Sequence, residues 1–139
     1  MRGMEIRRAT SVAEVLAAGH LFDDTPREDV TATFLAEDRQ HLLIAYVDGE
    51  PAGFVSGSEL LHPDKGVEMF VNELGVDDAF LRRGIGSALV EALLELSKER
   101  GCHGMWTAVD ADNEAALALY KGVDGDMDTG VAVVTWDLP

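Results

Sequence analysis

Gly84 and Gly86 stand at the head of the longest amphipathic pattern in the chain, and that arrangement constrains the fold more than any other. Behind them, apolar residues recur at Ile85, Ala88, Leu89, Ala92, Leu93 and Leu96. This is the i, i+3, i+4 stripe of a helix with one buried face. Ahead of them runs Asn72-Glu73-Leu74-Gly75-Val76, a strand pattern. Strand, tight glycine loop and long helix therefore follow in series. The first N–H groups of such a helix have no partner inside it. Those donors, with the positive end of the helix dipole, suit a phosphate. Glycine lets a ligand approach the backbone closely, and Arg82 and Arg83 add positive charge. The loop is no dinucleotide fingerprint, because the third glycine is missing. It is no Walker loop either, because no Lys-Ser/Thr follows. A glycine-started helix without a ligand is the plain structural alternative.

A length of 139 residues fits one domain, expected to span 1–139, with a sizeable core. No apolar run approaches the roughly 18 residues of a membrane span. The opening segment, Met1 to Glu5, is not followed by the apolar core of a signal peptide. The single cysteine, Cys102, rules out an internal disulfide and is compatible with a reducing cytoplasm. Net charge is −15, from 26 acidic and 11 basic residues. Such a surface repels phosphate backbones, so nucleic acid is excluded as an expected partner. It favours a cationic substrate only weakly, since acidity also serves solubility.

Along the chain, Met4 to Ala9 reads as a first strand, with Thr10 or Ser11 capping the next helix. That helix carries Val12, Val15, Leu16, Gly19 and Leu21 or Phe22 on its apolar stripe. Asp23, Asp24 and Pro26 mark a loop before a second helix. This one should reach Leu35 or Ala36 and bury Val30, Phe34 and Leu35. Asp48-Gly49 joins strand 41–47 to strand 51–60 as a hairpin. Gly53 and Gly57 in the return strand suggest a close backbone approach or a bulge. Residues 62–66 turn into the strand ending at Val76. After the long helix, Arg100-Gly101 is a stop signal. A strand over 102–109, a helix over 114–120 and a last strand over 130–138 complete the order β-α-α-β-β-β-α-β-α-β, a mixed sheet with helices on its faces. Trp106 and Trp136 fall in these late strands.

Two motifs carry a family resemblance. Leu81-Arg82-Arg83-Gly84-Ile85-Gly86 resembles the Gln/Arg-x-x-Gly-x-Gly/Ala diphosphate loop of the GCN5-related N-acetyltransferases, apart from Leu81 at the first position. Asn113, Ala116, Leu119 and Tyr120 fall on that family's Asn-x-x-Ala-x-x-Leu-Tyr pattern. Asp124 and Gly125 stand where the family usually has a Gly-aromatic pair. Scattered further matches, such as 41–45, 53–57, 62–65, 72–76 and 136–138, are similar to the type I aminoglycoside 3-N-acetyltransferases.

The resemblance implies an α/β fold of the GNAT type. Its mostly antiparallel, mixed sheet has six to seven strands flanked by four helices, and a cleft splays open between the fourth and fifth strands. It implies acetyl-CoA as cofactor and a small polycationic amine as acceptor, most specifically the 3-amino group of an aminoglycoside. Backbone groups of Leu74, Gly75 and Val76, residues Leu81, Arg82, Arg83, Gly84, Ile85, Gly86 and Ser87, and Asn113, Ala116 and Tyr120 would hold the cofactor. Glu73 is the candidate base and Tyr120 the candidate acid; a tyrosine hydroxyl, with a pKa of about 10, can donate at neutral pH. Glu68 is the runner-up base. In a regular strand it faces away from Glu73, five positions on. Acceptor contacts would come from Glu68, Asp23 and Asp24 and from Asp124, Asp126 and Asp128. Each aspartate is also explicable as an exposed loop residue. The four histidines, His20, His41, His62 and His103, show no metal-binding spacing. A cytoplasmic enzyme, compatible with a homodimer and without nucleic-acid or membrane partners, is the expectation. Another amine, an amino acid or a protein N-terminus as acceptor, and a non-catalytic acyl-CoA-binding module, are the alternatives. An RNA-acetylating role is disfavoured by the missing basic patch.

Overall fold

A computed structural model describes residues 3–139; Met1 and Arg2 of the opening segment lie outside it. The chain divides into two compact units, one through Ala108 and one from Val109.

The first unit is built on a sheet of five strands in the order β1 (Met4–Arg8), β2 (Gln40–Val47), β3 (Glu50–His62), β4 (Gly66–Val76) and β5 (Met105–Trp106). The first four pair antiparallel, and β5 runs parallel to β4. Three helices accompany it: α1 (Val12–Ala17), α2 (Glu28–Ala36) and α3 (Ile85–Glu99). Asp48 and Gly49 both take positive φ, 49° and 84°, the tight hairpin geometry that the Asp-Gly pair favours.

The long helix α3 covers one face of the sheet. Ile85, Leu89 and Leu93 pack there against Leu43, Ala45, Val55, Met69 and Val71. Full burial of each such side chain is worth about 1.5–3 kcal/mol. Gly53 and Gly57 let the helix come close. A Cβ on Gly53 would sit 3.0 Å from Ile85 Cγ2, and one on Gly57 would sit 2.8 Å from Met69 Sδ and 3.1 Å from Leu93 Cδ2. On the other face, Val15 and Ala18 join Leu42, Ile44 and Phe54, with Leu21, Phe22, Phe34 and Leu35 partly buried against them. Ser11 caps α1 by accepting from the Glu14 N–H at 3.2 Å. The first helix stops at Ala17 and continues as a short 3-10 turn, Gly19–Leu21. In α2, Thr31 is the buried residue, while Val30 is 53% exposed, contrary to the expectation.

The second unit holds α4 (Glu114–Gly122). Asn113 Oδ1 caps it, accepting from the Ala116 N–H at 3.1 Å. Its other end closes with a Schellman pair: Gly125 N–H donates to Tyr120 O at 2.9 Å, and Asp124 N–H to Lys121 O at 3.1 Å.

Two expected strands differ. The fifth is two residues long rather than spanning 102–109. Residues 130–138 form no strand, and Val131, Val133, Val134, Trp136 and Leu138 are exposed. The second unit holds no other strand to pair with this segment, and a lone strand cannot satisfy its own backbone groups. Trp136 is therefore outside any sheet, whereas Trp106 lies on β5 and packs its ring at 4.6 Å from Phe70. The sheet has five strands instead of six to seven; the mixed, mostly antiparallel α/β architecture with four helices stands.

Candidate active site

The site begins with an irregularity in β4. Ser56 of β3 pairs with Glu73, but the next residue, Gly57, pairs with Val71. Asn72 is the extra residue of a β-bulge. The slip reverses which side chains meet α3. Met69 and Val71 face it before the bulge, Leu74 and Val76 after it. Glu68 and Glu73 consequently share the opposite face, and the regular-strand expectation that separated them is corrected.

On that face Glu73 stands where two cavities meet. One, of about 230 Å³, is lined by Leu21, Asp23, Phe54, Asn72, Glu73, Leu74 and Gly75. The other, of about 350 Å³, lies between α2 and the sheet, with Phe22, Phe34, Leu42, Ser56 and Glu73 among its walls. Phe22 stacks on Phe54 at 4.1 Å between the two. Gly75 has to be glycine here, because a Cβ would lie 2.8 Å from Phe54 Cε1 and 2.9 Å from Leu21 O. Partial burial raises the Glu73 carboxyl above the usual glutamate range, and the negative charges of Asp23 and Asp24 raise it further. Glu68 differs. His62 Nε2 lies 3.0 Å from its Oε1, and this hydrogen bond holds its carboxyl low.

The ladder between β4 and β5 is short. It pairs Met69 with Met105 and Phe70 with Trp106 and then ends. Beyond it, Val71 O accepts from the Thr107 hydroxyl at 3.0 Å instead of from a backbone N–H. Among the described residues, Leu74, Gly75 and Val76 pair with β3 alone, so their other edge is open to an amide-rich ligand.

The glycine loop follows. A short 3-10 turn, Asp78–Phe80, leads to Arg82 at φ 65° and Gly84 at φ 75°. The first helical bond runs from Ala88 N–H to Gly84 O at 3.0 Å. The N–H groups of Ile85, Gly86 and Ser87 precede it and have no intrahelical partner. Leu81, Arg82, Arg83 and Gly84 are exposed around them, and the Arg83 guanidinium lies 5.3 Å from the Phe80 ring centroid. Free donors, the positive end of the helix dipole and two cations thus lie together, an arrangement whose chemistry suits an anion. A diphosphate fits its chemistry.

In the second unit, Asn113 spends its carbonyl oxygen on the helix cap and keeps its amide hydrogens free to donate. Ala116 and Tyr120 are half-buried on α4, and burial pushes the Tyr120 hydroxyl up. Asp124 occupies the left-handed position of the Schellman turn, φ 65°. Asp128 Oδ1 accepts from Gly130 N–H at 2.8 Å. Asp126 is exposed. Two of the three late aspartates therefore have a local backbone role. Cys102 is partly buried, and burial raises its thiol, the state of an inert cysteine. Among the described residues no cluster of metal-ligating side chains occurs, and no helix is long and apolar enough to cross a membrane.

Two features were not read from the sequence. Ser56 is 5% exposed, and its Oγ has no hydrogen-bond partner among the described residues. Its place inside the apolar run Phe54-Val55-Ser56-Gly57 was the available signal. The second is a network that runs from the buried His41–Glu59 pair to the surface. His41 Nε2 hydrogen-bonds Glu59 Oε2, which also accepts from Arg100 Nε at 2.7 Å, and Arg100 reaches Asp38 Oδ2 at 2.8 Å.

Known proteins match this arrangement. Over 81 residues the chain is 33% identical to an L-2,4-diaminobutyric acid acetyltransferase of Nocardia farcinica, covering 58% of this chain and 41% of that one. It thus spans well under two thirds of that relative. An aminoglycoside acetyltransferase from an uncultured soil metagenomic sample, meta-AAC0020, superposes with a TM-score of 0.90 over 99% of this chain and 97% of that chain, at 18% identity. AAC(6')-Iy in complex with the bisubstrate analogue CoA-S-monomethyl-acetylneamine superposes with a TM-score of 0.81 over 98% and 99%, at 20% identity. At these identities the likeness is one of fold. The acetyltransferase (GNAT) family profile matches residues 9–123. With the bulged β4, the short β4–β5 ladder and the glycine loop ahead of α3, the chain belongs to the GNAT acetyltransferase family.

Proposed function

We propose that this protein, as a single GNAT domain over 1–139, acetylates a primary amine, and that the amine belongs to an aminoglycoside-type polycation. Acetyl-CoA is the cofactor of the family and supplies an acyl thioester. The observation that carries the reading is Glu73. It lies at the junction of two cavities, beside the open edge of β4, with its carboxyl raised by burial and by Asp23 and Asp24.

The roles divide as follows. The N–H groups of Ile85, Gly86 and Ser87, with Arg82 and Arg83, bind the diphosphate. Leu74, Gly75 and Val76 offer their free backbone edge to an amide-rich arm, and the sequence resemblance makes Asn113 a further candidate cofactor contact. Asp23 and Asp24 draw an ammonium toward the site. A raised carboxyl is a better base near neutral pH, and Glu73 takes the proton that the ammonium must lose. The sequence resemblance makes the Tyr120 hydroxyl the candidate that would supply a proton to a leaving thiolate. Glu68, Asp124 and Asp126 remain candidate acceptor contacts, and Asp128 with them. The 3-amino group is the position suggested by the sequence resemblance; the fold likeness to AAC(6')-Iy makes the 6'-amino group its competitor.

A thiol-release assay tests the reading with kanamycin, gentamicin, 2,4-diaminobutyrate and an alanyl peptide. Turnover with the first two, lowered by about 10² to 10⁴ in Glu73→Gln, is expected, and product NMR then assigns the acetylated nitrogen. Turnover only with diaminobutyrate or the peptide would move the acceptor to an amino acid or N-terminus. Tight CoA binding with no thiol release from any amine would make the chain a binding module.

A further inference from the structure

We propose that the 350 Å³ cavity between α2 and the sheet is a subsite for an uncharged apolar arm, so that the protein also acetylates primary monoamines carrying an alkyl or aryl chain. The inference rests on Glu73 being the base. Glu73 stands where the two cavities meet, and the two differ in chemistry. The smaller one has Asp23 and Asn72 in its lining, the side suited to further ammonium groups. In the larger one Val15, Phe22, Phe34 and Leu42 make an apolar wall, and Val30 lines the same space while 53% exposed. Val30 and Phe34 stand at i and i+4, so α2 turns one apolar stripe toward the cavity. Its volume falls within the range of about 300–1,000 Å³ that holds small ligands.

Polar side chains on this wall are few: Thr25, Arg27, Thr31, Ser56 and Glu73. The Arg27 guanidinium is paired with Asp29 at 2.8 Å, so the two charges offset each other. The Ser56 hydroxyl oxygen is closed to a water-sized probe. Two threonine hydroxyls and one carboxylate remain. A sugar ring bearing several hydroxyl and ammonium groups would leave most of them without partners here, at a desolvation cost. A hydrocarbon chain has no such groups, and it is stabilised by leaving water. One carboxylate also matches one ammonium, with the nitrogen at Glu73 and the chain in the cavity. Glu73 takes one proton from the ammonium and frees the nitrogen lone pair. That pair forms the N–C bond to the acetyl carbon as the C–S bond of the thioester breaks. The electrons of the broken bond leave with sulfur, and the surplus proton on nitrogen ends on that thiolate. The products are an N-alkylacetamide and a thiol.

Ethylamine, butylamine, hexylamine and octylamine test this, because they share one ammonium and differ only in the arm. In a thiol-release assay with acetyl-CoA and the full chain, kcat/KM should rise about fourfold per methylene until the arm outgrows the cavity. Val30→Asp should flatten the series by setting a charge against the arm. Val30→Thr keeps the shape, adds a hydroxyl and should flatten it less. Val30 is exposed, so both variants should fold, and melting curves check this. A flat series in the parent, or turnover with kanamycin and with none of the four, overturns the inference and leaves the base assignment standing. A series that stays equally steep in both variants places the arm elsewhere and overturns it too. Parental rates in Glu73→Gln would overturn the base assignment beneath it, and no thiol release from any amine, kanamycin included, would overturn the enzyme reading itself.

Discussion

Glu68 and Glu73 point to the same face of β4 although they are an odd five positions apart, because Asn72 is an extra residue between them. Their environments nevertheless set them apart. Glu68 is bonded to His62 and held low, and Glu73 is raised at a cavity junction. Glu73→Gln should lower kcat by about 10² to 10⁴, the usual contribution of a general base. Glu68→Gln should stay within threefold of the parent, on the order of the RT-scale loss of one partly exposed ion pair. Equal losses in the two variants would reverse the assignment.

The acid limb of kcat/KM should lie above the ordinary glutamate pKa of about 4.3. Burial, then Asp23 and Asp24, keep Glu73 protonated longer in the fold than in the unfolded chain. The folded state therefore binds more protons in that window, and this group's contribution to stability falls as pH rises through it. Glu73→Gln should raise the melting temperature at neutral pH. The gain should vanish below pH of about 4. Asp23→Asn with Asp24→Asn should move the acid limb down and raise the KM of a polycationic acceptor. A limb that stays in place would remove both aspartates from the field at Glu73.

Gly84 can be tested without steric complication. Its φ is 75°, and nothing lies within 4 Å of where its Cβ would be. Gly84→Ala therefore pays the left-handed backbone cost alone, about 1–2 kcal/mol. If that cost tilts the loop, calorimetry should find CoA binding weakened by about tenfold, since 1.4 kcal/mol is a factor of ten. Gly84→Asn should be milder, as asparagine tolerates this conformation. Parental affinity in both variants would show that the loop does not grip the cofactor.

The Arg100–Glu59–His41 network ties the end of α3 to β2 and β3. The Glu59 side chain is 4% exposed. Its burial pushes the carboxyl up, but hydrogen bonds from His41 and Arg100 outweigh that and hold it low. Removing one partner of a buried ion pair costs about 3–5 kcal/mol, and Arg100→Leu should approach the lower end, because Arg100 is partly exposed. His41 is lowered by burial. The unfolded chain thus binds more protons just below pH of about 6.5, and stability should fall as pH drops from there. Urea titrations at pH 7.5 and pH 5.5 measure it. A flat response would place the histidine outside the pH dependence.

Gly57 measures how closely α3 lies on the sheet. Gly57→Ala would drive a methyl against Met69 Sδ and Leu93. Overpacking of this kind costs about 1–3 kcal/mol, read as a lower urea midpoint at unchanged slope.

Much of this was legible because it was local. The stripe behind Gly84 fixes α3, Asp48-Gly49 fixes the hairpin, and Arg100-Gly101 ends the helix with Gly101 at φ 76°. The bulge was not legible, since Asn72 has an ordinary strand sequence around it and only the register with β3 reveals the extra residue. Ser56 and His41 were missed for the same reason: burial is a property of what packs over a residue. Residues 130–138 erred the other way. Their valines favour a strand, but a strand is a pairing, and composition alone supplies no partner.

The Thr107 hydroxyl at Val71 acts as a zipper stop. A sheet left unzipped there resembles an unfinished edge, and whatever pairs with it adds to cohesion as well as to chemistry. Folding stability should then rise with the concentration of a CoA thioester that pairs there, in proportion to the logarithm of that concentration once it exceeds the Kd.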